Sequence, residues 1–236
     1  MLRKIWAVAC FCILAGACKE SFLDLAPVSN VNTVNFYKTK ADFDLAVNAA
    51  YATLYTFYGP ESAISYTEQL GDNGTMYNVA GIQADRWAFK DYSLRPSNTE
   101  VYRFWQETYK ALYSLNVVLE KIQQSDLDTA YKTDGMAERM FLRGLYYFDM
   151  VQLWGDLPIV TKPLSVEESY QTLRSPTADV YKQIVQDLQY AAANLPLATA
   201  VTAPGKASKG AAQTLLGKVY LTTGDKTAAA KVLTEV

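Results

Sequence analysis

Met136-Ala-Glu-Arg-Met-Phe-Leu-Arg-Gly-Leu-Tyr-Tyr-Phe-Asp-Met-Val-Gln-Leu-Trp-Gly-Asp-Leu-Pro-Ile-Val-Thr-Lys-Pro163 is the stretch whose reading decides the fold. Ala137, Phe141, Leu145, Phe148 and Gln152 recur at steps of four and three, with Met140, Leu142 and Met150 beside them. That spacing predicts a helix with one mainly apolar face. Gly155 can take the left-handed conformation that closes a helix, and Pro158 cannot continue one. The charges on this helix invite a catalytic reading, because a pair of carboxylates can serve glycoside hydrolysis. Glu138 and Asp149 are eleven residues apart, about 16 Å along a helix axis, whereas such pairs stand roughly 5–10 Å apart. Structural ion pairing of Glu138, Arg139, Arg143 and Asp149 is the better account.

Working outward, the neighbouring segments are helical as well. Thr39-Lys-Ala-Asp42 fits a capping box, and Phe43, Val47, Ala50, Leu54 and Phe57 mark one face until Gly59-Pro60. Ser97 and Glu100 fit another box, followed by Val101, Trp105, Tyr109, Leu112, Leu115, Leu119 and Ile122 at helical steps. Trp105 falls within this stripe and reads as core, and Asn116 as a buried hydrogen-bonding residue between helices. After Ser125 to Gly135 comes the central helix. Ser175-Pro176 then reads as an N-cap with proline at the first helical position, and Val180, Ile184, Leu188, Ala191 and Leu195 form the next face. Residues 197–206 read as a linker. Leu216-Gly217, Tyr220, Gly224 and Ala229 fall at the spacings of a tetratricopeptide repeat, in which small residues let two helices approach and Tyr220 fills the gap between them. The expected fold class is all-α, a stack of helical hairpins of tetratricopeptide-repeat type interrupted by a long irregular loop region.

The first residues carry targeting information. Arg3 and Lys4 precede an apolar run from Ile5 to Ala17, too short for a membrane-spanning helix of roughly 20 residues. Residues 1–17 therefore read as a signal peptide. Leu14-Ala-Gly-Ala-Cys18 resembles a lipobox, with Ala15 standing where a larger aliphatic residue is usual, so Cys18 is the expected lipidation site. Several acyl chains on one cysteine hold a protein to a membrane without a spanning helix. All three cysteines, Cys10, Cys12 and Cys18, lie in or at the end of this segment, which leaves no disulfide for the rest of the chain. Residues 18–38 read as a lipidated, extended tether, and 39–236 as the helical domain, incomplete at its C-terminal end.

Composition narrows the function classes. The chain holds 22 basic and 24 acidic side chains, and removing residues 1–17 takes away only Arg3 and Lys4. No basic run remains, which argues against a nucleic-acid partner. The chain has no histidine at all, which excludes Ser-His-Asp and Cys-His catalysis and every histidine-ligated metal site within it. No motif points to a metal or a cofactor.

Arg139-Met-Phe-Leu-Arg-Gly-Leu-Tyr-Tyr-Phe-Asp-Met-Val-Gln-Leu-Trp-Gly-Asp-Leu-Pro-Ile-Val160 resembles the signature of the SusD/RagB family, with Gly144 where alanine is more usual. A glycine there costs about 1 kcal/mol against alanine and implies close backbone packing. Phe104-Trp105 with Tyr109 and Asn116 is similar to a second family signature. Val180-Tyr-Lys-Gln-Ile-Val-Gln-Asp-Leu188 with Leu195-Pro196, and Phe22-Leu-Asp24 with Pro27, are similar to the family pattern too. The family comprises outer-membrane nutrient-binding lipoproteins of Gram-negative bacteria that sit on a TonB-dependent, SusC-like transporter. The resemblance implies a cell-surface binding protein and not an enzyme. It would capture oligosaccharides, or peptides, and pass them to that transporter, with an envelope scaffold lacking a small ligand as the other alternative.

From Glu61 to Pro96 helical periodicity fades, and so long an irregular stretch in a compact domain points to function or mobility. A saccharide site needs aromatic faces for the apolar face of a pyranose and amides or carboxylates for its hydroxyls. Asp72, Asn73, Tyr77, Asn78 and Trp87 supply those types within this stretch, and the resemblance places part of the ligand face here. These five are the candidate ligand-binding residues. Packing of Tyr77 and Trp87 onto the helices is the competing reading.

Overall fold

The computed structural model describes residues 36–59, 68–71, 74, 84–201 and 203–236. The signal peptide, Cys18, most of the tether and the side chain of Phe57 lie outside the described residues. The chain divides after Lys38 into two units, and the described helices lie in the second. In chain order these are α1 (Lys40–Tyr58), α2 (Ala84–Lys90), α3 (Thr99–Gln124), α4 (Thr129–Trp154), α5 (Val166–Gln171), α6 (Thr177–Asn194), α7 (Lys209–Thr223) and α8 (Lys226–Leu233). Among the described residues there is no β-strand beyond one isolated bridge, Leu157 to Ser175. Consecutive long helices pack side by side: α3 on α1 and α4, α4 on α6, α6 on α7, α7 on α8. The all-α expectation of stacked hairpins holds.

Local chemistry explains where α1 starts. Thr39 and Asp42 form a reciprocal capping box, in which Asp42 accepts from the Thr39 amide at 2.8 Å. Phe43, Val47 and Ala50 are buried, as their spacing requires. The carbonyls of Lys40, Phe43 and Ala50 each accept a bond from α4, donated by Tyr131, Arg139 and Tyr146 respectively. One helix edge is thereby bonded to the next.

α4 differs from its reading in two respects. It begins at Thr129, capped by Asp128, which accepts from the Tyr131 amide at 2.9 Å. Gly135 looks like a breaker in the sequence but sits inside the helix, where a Cβ would come within 2.6 Å of Ile122 Cδ1 and 2.8 Å of Arg139 Nη1. Gly135→Ala should therefore destabilise the protein by about 1–2 kcal/mol, because crowding outweighs the gain of about 1 kcal/mol in helix propensity. A rise in the urea midpoint would refute that crowding. The second difference concerns the buried face: Phe141 and Leu145 are only partly covered and Gln152 is exposed, while Leu142, Tyr146, Tyr147, Met150 and Val151 are buried alongside Ala137 and Phe148. Because α1, α3 and α6 all pack on α4, no single stripe describes it. Opposite Gly144, a Cβ would stand 3.0 Å from Leu188, the close approach of α4 and α6 that a small residue permits.

Helix starts shift where tertiary partners supply the cap. α3 is capped by Asn98 and not Ser97: Asn98 Oδ1 accepts from the Glu100 and Val101 amides at 3.0 and 3.2 Å. Its Nδ2 also donates to the Asp85 carbonyl at 2.7 Å, a contact to α2 that favours this register. Likewise α6 begins at Thr177, and Ser175 is used in the bridge to Leu157 instead of as a cap. Asp156 of the Trp-Gly-Asp turn takes over, accepting from the Thr177 amide at 2.7 Å and its hydroxyl at 2.8 Å. Val180, Ile184, Leu188 and Ala191 are fully buried along α6. In the last hairpin, Gly217 leaves space that Leu233 occupies, and Gly224 closes α7 at φ +85°. Tyr220 turns toward α6, its hydroxyl accepting from Gln189 at 3.0 Å, so the gap between α7 and α8 is filled by Leu233 against Gly217.

Candidate functional site

Gly155 turns the chain at φ +67° and ψ −114°, conformations open to glycine, and sends residues 157–161 back along the helices. Leu157 exchanges both backbone bonds with Ser175, and beyond it side chains meet the polar groups of the segment. Tyr147 accepts from the Val160 amide at 2.7 Å, and Tyr109 donates to the Pro158 carbonyl at 2.9 Å. Asn116 donates to the Val160 carbonyl at 2.8 Å, and Arg143 Nη1 to the Thr161 carbonyl at 3.2 Å. Tyr147→Phe should cost about 1–3 kcal/mol, since the Val160 amide would lose its acceptor. Protection of that amide from hydrogen exchange would fall with it if the contact is as described.

Beneath the segment lies a buried polar centre. Arg143 grips Asp187 bidentately, both bonds at 2.7 Å, and gives a third bond of 2.8 Å to Asn116 Oδ1. All three residues are at most 5% exposed. Glu138, also buried, is 3.6 Å from Lys206. Arg139 is buried against the carbonyls of Gly135 and Phe43, and burial lowers its pKa below the usual guanidinium value. Asp149 accepts from Tyr58, and burial pushes its carboxyl up to about 6, opposed by that hydrogen bond and by Lys218. Glu138 and Asp149 thus face different neighbours, Lys206 and Tyr58, while Glu138 Oε1 and Arg139 Nε are buried without a hydrogen bond. Among the described residues no His, Cys, Asp and Glu cluster fits a metal ion, and no helix is long and apolar enough to cross a membrane.

Of the five candidate ligand residues, Asp72, Asn73, Tyr77 and Asn78 lie outside the described residues. Trp87 does not: it is half-buried on α2, a helix of seven residues that periodicity could not reveal because it spans only about two turns. α2 is fixed to the start of α3 from both sides. Asp85 accepts from the Thr99 hydroxyl and, at 3.0 Å, from the Thr99 amide, and those bonds hold its carboxyl below the usual range. Arg86 meets Glu100 at 2.9 Å. The other flank of the loop is tied by Tyr92, whose hydroxyl donates to the Leu70 carbonyl at 2.9 Å while its backbone takes a φ of +57°. Between them is a cavity of about 230 Å³, lined by Leu70, Phe89, Leu94, Val101 and Trp154 among others.

The ring of Trp105 packs against the core without entering it. Trp105 is half-buried, whereas Phe104 beside it enters the core. At 3.6 residues per turn Trp105 points about 100° away from Phe104, which places it at the edge of the buried stripe. Its ring stands 5.7 Å edge-on from Trp154 and 5.0 Å from Tyr109, with the Arg174 guanidinium 5.3 Å from its centroid. Tyr102 and Tyr113, on the outer side of the same helix, are 61% and 51% exposed.

Comparison with known proteins agrees with this architecture. Residues 21–221 match a SusD-like family model described as starch-binding associating with outer membrane. A SusD-like protein, P25, of Formosa agariphila is 26% identical over 92% of this chain and 43% of its own length. A solved structure named as a laminarin-binding SusD-like protein superposes with a TM-score of 0.77 at 30% identity, covering 85% of this chain and 44% of that one. A SusD-like carbohydrate-binding protein of Bacteroides fragilis superposes at 0.67 with 25% identity, over 85% of this chain and 41% of that one. The chain thus spans less than half the length of these relatives. With its helical stack, its Trp-Gly-Asp turn and a family match across most of its residues, this chain belongs to the SusD/RagB family.

Proposed function

We propose that the chain is the helical part of a cell-surface lipoprotein that captures oligosaccharides for import by a TonB-dependent outer-membrane transporter, without cleaving them. The match of residues 21–221 to a family described as starch-binding and associated with the outer membrane carries this reading. The laminarin-binding and carbohydrate-binding names of two structural relatives support the ligand class. In this scheme Cys18 anchors the protein through its lipid, the helical stack docks on the transporter, and Asp72, Asn73, Tyr77, Asn78 and Trp87 contact the glycan. Capture needs no bond to break.

Isothermal titration of the detergent-solubilised full chain tests the proposal, using malto-, laminari- and cello-oligosaccharides and a set of peptides. Saccharide binding is expected, weakened about tenfold by Trp87→Ala, which corresponds to 1.4 kcal/mol. Binding of peptides alone would replace glycan capture by peptide capture. No binding by a folded protein would favour a scaffold.

A further inference from the structure

We infer that the outer face of α3 is a further saccharide-contacting surface, an aromatic ladder built on residues other than Asp72, Asn73, Tyr77, Asn78 and Trp87; this rests on the glycan-capture reading. Tyr102, Tyr109 and Tyr113 recur at steps of seven and four. On a helix of 3.6 residues per turn they fall within about 40° of one another, so they form one row about 16 Å long. The row points away from the buried residues Phe104, Thr108, Leu112 and Leu115. A shallow groove of about 590 Å³ runs along it, floored by Trp105 and Tyr109 and edged by Tyr102, Gln106, Lys110 and Tyr113.

The lining chemistry identifies the ligand class. Apart from the rings, the groove presents the Gln106 amide, the Ser114 hydroxyl and the Lys110 ammonium, which is paired with Glu107 at 2.7 Å. Flat rings at regular intervals with hydrogen-bonding tips match a chain of pyranoses, whose C–H faces stack and whose hydroxyls need donors and acceptors. Two features show how the surface is held ready. Tyr109 is fixed by its hydrogen bond to the Pro158 carbonyl, and Trp105 is braced by Trp154 and Arg174. Tyr102 and Tyr113, the exposed pair, provide the free rings; Gln106 donates to the Tyr102 hydroxyl at 3.3 Å and orients it.

The test is the Tyr102→Ala/Tyr113→Ala double variant of the full chain, titrated with the malto-, laminari- and cello-oligosaccharides used above. Both side chains are largely outside the core, so circular dichroism and melting temperature should match the parent. The expected result is at least a tenfold loss of affinity, larger for longer oligosaccharides than for short ones because only a long chain covers the whole row. Gln106→Ala should give a smaller loss in the same direction. Unchanged saccharide affinity in a double variant whose parent binds glycan overturns the ladder and leaves glycan capture standing. A parent that binds no saccharide overturns both.

Discussion

Arg143→Leu is expected to lower the unfolding free energy by about 3–5 kcal/mol. The substitution keeps apolar volume but leaves Asp187, 2% exposed, without the guanidinium that neutralises it. Asn116 and the Thr161 carbonyl lose a donor at the same time. Only Gln183 would still reach Asp187, at 3.0 Å, and an amide offers no charge. Arg143→Lys should fall between the two, since an ammonium retains the charge but cannot reproduce the planar fork. The informative partner is Arg143→Leu/Asp187→Leu. Replacing a buried pair by apolar residues is often neutral or stabilising, so the double variant should recover most of the loss. Urea unfolding gives all four values, with an unchanged slope confirming that the unfolded states are comparable. If the double variant is no more stable than Arg143→Leu, the cost comes from packing and not from an orphaned charge.

That ion pair marks the boundary of what could be read from the chain. Periodicity located α1 and α6 because each buries one stripe, Phe43 to Ala50 in one and Val180 to Ala191 in the other. It located α4 too but misjudged its buried face, because three helices crowd around it and even arginines are interior. The link between Arg143 and Asp187 joins positions 44 residues apart, and nothing local to either announces it. Caps show the same division. Thr39 and Asp42 cap α1 within four residues and were legible. Asn98 and Asp156 act through contacts to distant backbone, so Ser97 and Ser175 looked equally suitable. The Trp-Gly-Asp signature acquires a physical meaning only in three dimensions: the glycine turns the chain, the aspartate caps the next helix, and the tyrosines and Asn116 satisfy the segment that follows. Trp105, at the margin of its stripe, packs on the core as its spacing implies but stays only half-buried, a difference of degree that spacing alone does not carry.

Asp149→Asn should stabilise the protein at neutral pH by about 2–3 kcal/mol, an effect opposite in sign to that of Arg143→Leu. The carboxyl of Asp149 is raised to about 6 from an ordinary value of 3.8, chiefly by burial, and each unit corresponds to 1.36 kcal/mol. Between these two values the native state holds a proton that the unfolded chain has released, so stability falls as pH rises through this window. Above about pH 6 the native state carries a half-buried carboxylate, and that cost is fully present. Well below the ordinary value of 3.8 both states are protonated and the cost is gone. Asparagine has no charge to bury and keeps an oxygen for the Tyr58 hydroxyl, the contact that ties the end of α1 to α4. The groups facing Asp149 are Tyr58 from α1, Tyr146 on its own helix and Lys218 from α7, and of these only Lys218 is cationic. The measurement is the difference in unfolding free energy between parent and variant from acid pH, below 3.8, to pH 8. It should be smallest at the acid end and grow to its full value above pH 6, with the other titrating groups cancelling in the difference. A difference that stays constant across the range would mean that Asp149 is solvated, and its bond to Tyr58 would then contribute little to holding α1 in place.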